Sequence, residues 1–157
     1  MQYSKYTELR ASEESDEFEF VSNGPKGDII KKVQFSKTEM PGIYNLGFGD
    51  KMNDGSIDDN SDSKNGDRDK ILASISNIIY LYTNIYPERS IVFLGRNLVR
   101  NRLYSMAIAK NYEELSNDFH IFILIDEKDE IAKVPFYPNL NCLGFSINRK
   151  SRINLDL

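Results

Sequence analysis

The residue types best suited to chemistry cluster in the segment 91–102, Ile-Val-Phe-Leu-Gly-Arg-Asn-Leu-Val-Arg-Asn-Arg. Its first four residues read as a short, wholly apolar strand, Gly95 breaks it, and a helix begins near Asn97 and runs to Leu115. A helix N-terminus presents unpaired N–H groups and a partial positive charge, so it attracts anions. Arg96, Arg100 and Arg102 strengthen that attraction, and from Ile91 to Lys110 the chain carries four positive charges and no acid. Arg96 and Arg100 are four apart and share a side of the helix. Arg102 lies roughly 160° from Arg100 at about 100° per residue, so the three do not make one simple patch. The plainer reading is that they flank the core stripe and pair with acids elsewhere. The functional reading is an anion site at Arg96, Arg100 and Arg102.

A second constellation is Asn45, Asp50, Asn65 and Asp67, which flank two glycine-rich turns. Carboxylates and amides gathered in a cleft can do acid–base work, although such residues more commonly make turns and caps. The stretch 50–69 holds seven aspartates and no aromatic residue, which marks a solvated loop. Asp58, Asn60 and Asp62 have the alternate spacing of a calcium loop, but Ser63 stands where that loop needs glycine and Asp69 where it needs glutamate. No metal site is expected. His120 is the only histidine and Cys142 the only cysteine, which excludes an internal disulfide and a cysteine-rich zinc site. No nucleophile elbow, phosphate-binding loop or dinucleotide fingerprint occurs, so no cofactor is expected.

These residues need a scaffold. The chain has 157 residues, 40% hydrophobic and 28% charged, which fits one folded domain spanning 1–157. Residues 1–16 are polar, and are either frayed or hold a short strand with Tyr3 and Tyr6. Alternation over Glu17–Ser22 and Ile29–Phe35, joined by the turn Asn23-Gly-Pro-Lys-Gly27, predicts a β-hairpin. Ile43–Phe48 makes a third strand, and Gly47 and Gly49 mark a place where backbone approaches closely. Residues 50–66 read as a flexible acidic loop. Asp67 is placed to cap a helix with Ile71, Ile75, Ile78, Tyr82 and Ile85 at helical spacing, ended by Pro87. The second helix buries Val99, Leu103, Met106 and Ala107. Strands follow over His120–Ile125, Ile131–Tyr137 and Cys142–Ile147. The predicted fold is α+β: one mixed or antiparallel sheet of about six strands with two helices on one face, in the order βββ-α-β-α-β-(β)-β.

Four segments resemble a family of small bacterial proteins of unknown function: Phe20-Val-Ser-Asn-Gly-Pro-Lys-Gly27, Tyr44-Asn-Leu-Gly-Phe-Gly-Asp50, Asn65-Gly-Asp67 and Gly95-Arg-Asn-Leu-Val-Arg-Asn-Arg-Leu-Tyr-Ser-Met106. In chains of that family the last segment reads Gly-Ser-Thr followed by Arg-Thr-Arg-Leu-Tyr. Here Arg96-Asn97 replaces Ser-Thr, so an anion contact through those hydroxyls does not carry over, whereas Arg100 and Arg102 match. The resemblance implies one domain and no particular activity.

The net charge is −4 and the sequence pI about 5.1, which disfavours non-specific binding to nucleic acid. No apolar run approaches the roughly 20 residues of a membrane span. The expected location is the cytoplasm. The leading expectation is a binding or interaction module using the basic segment 95–102, with a protein or a phosphate-bearing ligand as partner. One alternative is an enzyme acting on a phosphorylated or nucleotide substrate through Asp50, Asn65 or Asp67. Another is a nucleic-acid-associated accessory protein of a defence or toxin–antitoxin system, using Arg100, Arg102 and Tyr104 or the basic residues Arg149, Lys150 and Arg152.

Overall fold

The computed structural model describes residues 4–58, 64–94, 98–138 and 142–150, and of residues 98–100 the backbone alone. The chain opens with β1 (Arg10–Ala11), β2 (Glu17–Gly24), β3 (Gly27–Lys37) and β4 (Ile43–Lys51), an antiparallel meander. Alternation and register together build one apolar face. Phe18 lies beside Val33 and Val33 beside Phe48, while Phe35 lies beside Leu46. Directly opposed side chains share a face, so the next row, Phe20 beside Lys31 beside Asp50, continues the same face with two charges.

The strand β5 (Ile57–Asp58) folds back on the end of β4. Gly49 makes this possible, because a Cβ there would stand 2.1 Å from the Asp58 carbonyl oxygen. The helix α1 (Arg68–Ile85) then carries the chain across the sheet, so that β6 (Ser90–Phe93) lies parallel to β4. Parallel neighbours require a crossover of this kind. Two further helices, α2 (Leu98–Lys110) and α3 (Tyr112–Asp118), lead to β7 (Phe119–Glu127) and β8 (Glu130–Pro135). The last strand, β9 (Gly144–Arg149), inserts between β6 and β7, antiparallel to both. The resulting order is β1-β2-β3-β4-β6-β9-β7-β8, with β5 attached to β4.

Helices cover the apolar face through aromatic contacts. Tyr82 of α1 stacks on Phe35 with ring centres 3.7 Å apart, and Tyr80 meets Phe119 edge-on. Tyr104 of α2 packs edge-on against Phe93 and Phe145. The Arg149 guanidinium closes the C-terminal end of α1, donating to the Tyr80 carbonyl, Thr83 Oγ1 and Asn84 Oδ1 at 2.7–3.1 Å. A cation suits that end of a helix dipole, so Arg149 has a structural task here. No helix among the described residues is long and apolar enough to cross a membrane.

The α+β class, the opening meander and the stripe of α1 are as the sequence predicts. The count is corrected: nine strands and three helices are present among the described residues, against about six and two. The additional strands β1 and β5 have two residues each, too few to show a period. The predicted second helix divides at Asn111, whose side chain turns back to donate to the Ala107 carbonyl at 2.9 Å. Its buried stripe is Asn101, Tyr104, Ser105 and Ile108, and Met106 is exposed. Two polar residues on the inward side disguised the periodicity. Ile85, too, lies outside the core.

Replacing Gly49 by alanine drives a methyl group into the backbone of β5. Chemical denaturation of Gly49→Ala should show a loss of about 1–3 kcal/mol, in the range of overpacked sites, with faster amide exchange at Lys51 and Asp58. An unchanged midpoint and unchanged exchange would show that β5 does not press on Gly49.

Candidate functional site

One end of the sheet gathers the residues of interest. The carboxyl ends of the parallel strands β4 and β6 point the same way, and the antiparallel pairing brings the β2–β3 turn and the start of β9 to that end as well. The starts of α1 and α2 follow directly from this topology. A 3.6 Å contact between Lys110 and Asp69 joins the last turn of α2 to the first turn of α1. In sheets with parallel strands, ligands sit at this carboxyl edge.

At the β2–β3 turn the Asn65 side chain, 3% exposed, enters the hairpin. Its Oδ1 accepts from the Lys26 N–H at 2.8 Å, and its Nδ2 donates to Ser22 Oγ at 3.1 Å and to the Gly27 carbonyl at 2.9 Å. The Asn65 backbone presses so closely on Gly24 that a Cβ there would meet the Asn65 carbonyl oxygen at 1.9 Å. Asp67 continues the network. Its Oδ2 accepts from Ser22 Oγ at 2.6 Å and from the Tyr6 hydroxyl, and the Tyr6 oxygen accepts from the Asn23 N–H at 3.0 Å. Tyr6 also stacks on Phe20 and lies under the Lys70 ammonium, and its N–H donates to Ser74 Oγ. Asp67 stands at the N-cap position of α1 but makes no side-chain cap bond, because its carboxylate turns towards Tyr6 and Ser22.

The four polar residues singled out from sequence are therefore not one cleft. Asn65 and Asp67 come together through Ser22. Asp50 lies one row along on the helix-covered face, ion-paired with Lys31, which is 4% exposed. Asn45 is an odd step from Leu46, Phe48 and Asp50 on β4 and faces the opposite side of the sheet. Of the arginines, Arg102 is exposed on α2, Arg96 lies outside the described residues, and Arg100 lies on α2 with its side chain outside them. Of the stretch 50–66 expected as a loop, Asp50–Lys51 and Ile57–Asp58 are in strands, and residues 59–63 lie outside the described residues.

Two of the four resemblance-bearing segments, 20–27 and 65–67, meet at this network. The family model matches residues 2–150. The chain belongs to DUF6934, a family of unknown function. No curated protein and no solved structure matches it. In this DUF6934 chain the segments 20–27 and 65–67 meet through backbone contact and hydrogen bonds, which gives their glycines and amides a physical reason, while 44–50 lies one strand away with Asp50 on Lys31.

Sequence reasoning missed Tyr6, Ser22, Lys31 and Asn101. A signal existed for Lys31, a charge at an apolar-face position between Ile29 and Val33. Asn101 and Ser105, both buried on α2, gave no such signal, because polar residues four apart read as the solvated side of a helix. Among the described residues no group of three or more His, Cys, Asp or Glu is placed to hold a metal ion. Burial raises the Cys142 thiol, keeping it protonated and poorly nucleophilic. A cavity of about 50 Å³ between the helices and the sheet is lined by Ile75, Ile79, Phe93, Tyr104 and Leu115, and it is apolar throughout apart from Ser76 and Asn111.

Burial and then the bond to Asp67 push the Tyr6 phenol above its ordinary value, and burial does the same for Tyr80 and Tyr82. A raised folded-state pKa adds stability that is complete below about pH 10, where the unfolded phenol keeps its proton, and is lost as pH rises towards the folded value. Urea unfolding should therefore show lower stability near pH 11 than near pH 8, and a smaller drop for Tyr6→Phe. Equal drops in the two proteins would show that Tyr6 titrates as it does in water.

Proposed function

We propose that this protein is a binding module for a phosphate-bearing ligand, taken up at the carboxyl edge of β4 and β6 where α2 begins. The observation that supports it most is topological. Parallel strands β4 and β6 run the same way, and α2 begins beyond the carboxyl end of β6. The first turn of α2 holds no acid, and the segment 95–102 supplies Arg96, Arg100 and Arg102. A helix start and guanidinium groups favour the same ligand charge.

An enzyme acting on such a substrate is the weaker reading. The groups it would use for acid–base work are already engaged: Asp50 by Lys31, Asn65 by the hairpin backbone, and Asp67 by two hydroxyl donors. A nucleic-acid accessory role is weaker again, because Arg149 is held at the end of α1 and the net charge is −4.

Titration of the isotope-labelled protein with inorganic phosphate should move the backbone amides of Leu98–Asn101 saturably. The double variant Arg100→Ala, Arg102→Ala should bind phosphate at least roughly tenfold more weakly, as expected for lost charge-assisted hydrogen bonds. Unchanged amides, or equal affinity in the double variant, would overturn this reading.

A further inference from the structure

Three buried side-chain oxygens among the described residues have no hydrogen-bond partner: Asp67 Oδ1, Ser76 Oγ and Asn101 Oδ1. Native interiors keep few such groups, and each one costs stability. Asp67 already accepts two hydrogen bonds on its other oxygen, and Ser76 faces an apolar cavity. Asn101 stands apart. Its side chain is 5% exposed, and it lies at the start of α2, on the edge where the phosphate is placed above.

The orientation of its amide is settled by chemistry. Asn101 Nδ2 donates to the Cys142 carbonyl at 3.0 Å. Exchanging the two ends of the amide would set oxygen against oxygen, so the orphan group is an acceptor. The phosphate of a doubly ionised monoester offers an acceptor no hydrogen, so the complement of Asn101 Oδ1 is a hydroxyl or an amine. Nearby side chains suit an organic ligand. Leu94 follows β6 and Leu143 precedes β9, and they are 51% and 39% exposed. Leu94 lies against Gly144, the neighbour of Leu143, where a Cβ would meet the Phe93 carbonyl at 2.4 Å and Leu94 Cδ2 at 2.9 Å.

Resting on the anion-binding reading, we propose that the ligand is a phosphate monoester with a hydroxyl or amino group beside its phosphate, and that Asn101 reads that donor. The phosphate lies against the start of α2. The donor reaches Asn101 Oδ1 between Leu94 and Leu143, whose exposed side chains turn aside by a rotamer change. The carbon frame of the ligand then covers the two leucines. Polyol phosphates and nucleotides both have this chemistry.

Isothermal titration calorimetry of the full chain with methyl phosphate, glycerol phosphate and adenosine monophosphate tests the assignment without any substitution. Methyl phosphate has no donor on its carbon. Glycerol phosphate or adenosine monophosphate should bind roughly tenfold tighter than methyl phosphate, the value of one well-made hydrogen bond to a buried acceptor. The tighter of the two names the ligand class. Asn101→Leu, confirmed as folded by its thermal transition, should bind all three alike. Equal binding of the three by the wild type overturns the role of Asn101 while the anion reading stands. No binding by any of them overturns both.

Discussion

The Asn65 amide inside the β2–β3 hairpin is the contact on which the rest of the fold depends. It satisfies the Lys26 N–H and the Gly27 carbonyl, which a tight turn cannot pair within itself, and it holds Ser22 Oγ. Ser22 in turn shares Asp67 with Tyr6. One buried network thus joins the meander, the first turn of α1 and the N-terminal segment. Buried polar networks of this kind are costly when incomplete and specify a single arrangement when complete. Gly24 belongs to the same device, because only a residue without a side chain admits the Asn65 backbone so close.

Fixing the start of α1 fixes the edge. With α1 held, the crossover from β4 to β6 has one geometry, and α2 leaves β6 at the same end. The apolar interior ends there in a row of charge, Lys31 with Asp50, and in the Ser22–Asp67 network. These charges are matched within the protein and act as struts. Both sheet borders are protected against chain-to-chain pairing. On one side β1 is two residues long. On the other, β8 ends at Pro135, which has no N–H to offer, and carries the charged Lys133.

Much of this is written in the order of residues, and part is not. Alternation of Phe18 and Phe20, and of Val33 and Phe35, reports the meander directly, since period-2 burial is local. The stripe Ile75, Ile78, Ile79 and Tyr82 reports α1 for the same reason. The order of the strands does not follow from local pattern. That β9 lies between β6 and β7 depends on long-range pairing of Ile147 with Ile91 and Ile121. The polar end was half legible. Asn65, Asp67 and Asp50 stand out beside glycines, but their partners Ser22, Tyr6 and Lys31 are ordinary strand residues until the register sets them together. Asn45 has the same composition signal as Asp50 and faces the other way, because one step along a strand reverses the side chain.

The most direct test of this account is the unfolding free energy of Asn65→Ala. If the amide is the hub, its removal takes the acceptor from the Lys26 N–H and one donor each from the Gly27 carbonyl and Ser22 Oγ. The predicted loss is about 2–4 kcal/mol, with amide exchange at Lys26 rising first. A loss below about 0.5 kcal/mol, the scale of an ordinary surface substitution, would contradict the account.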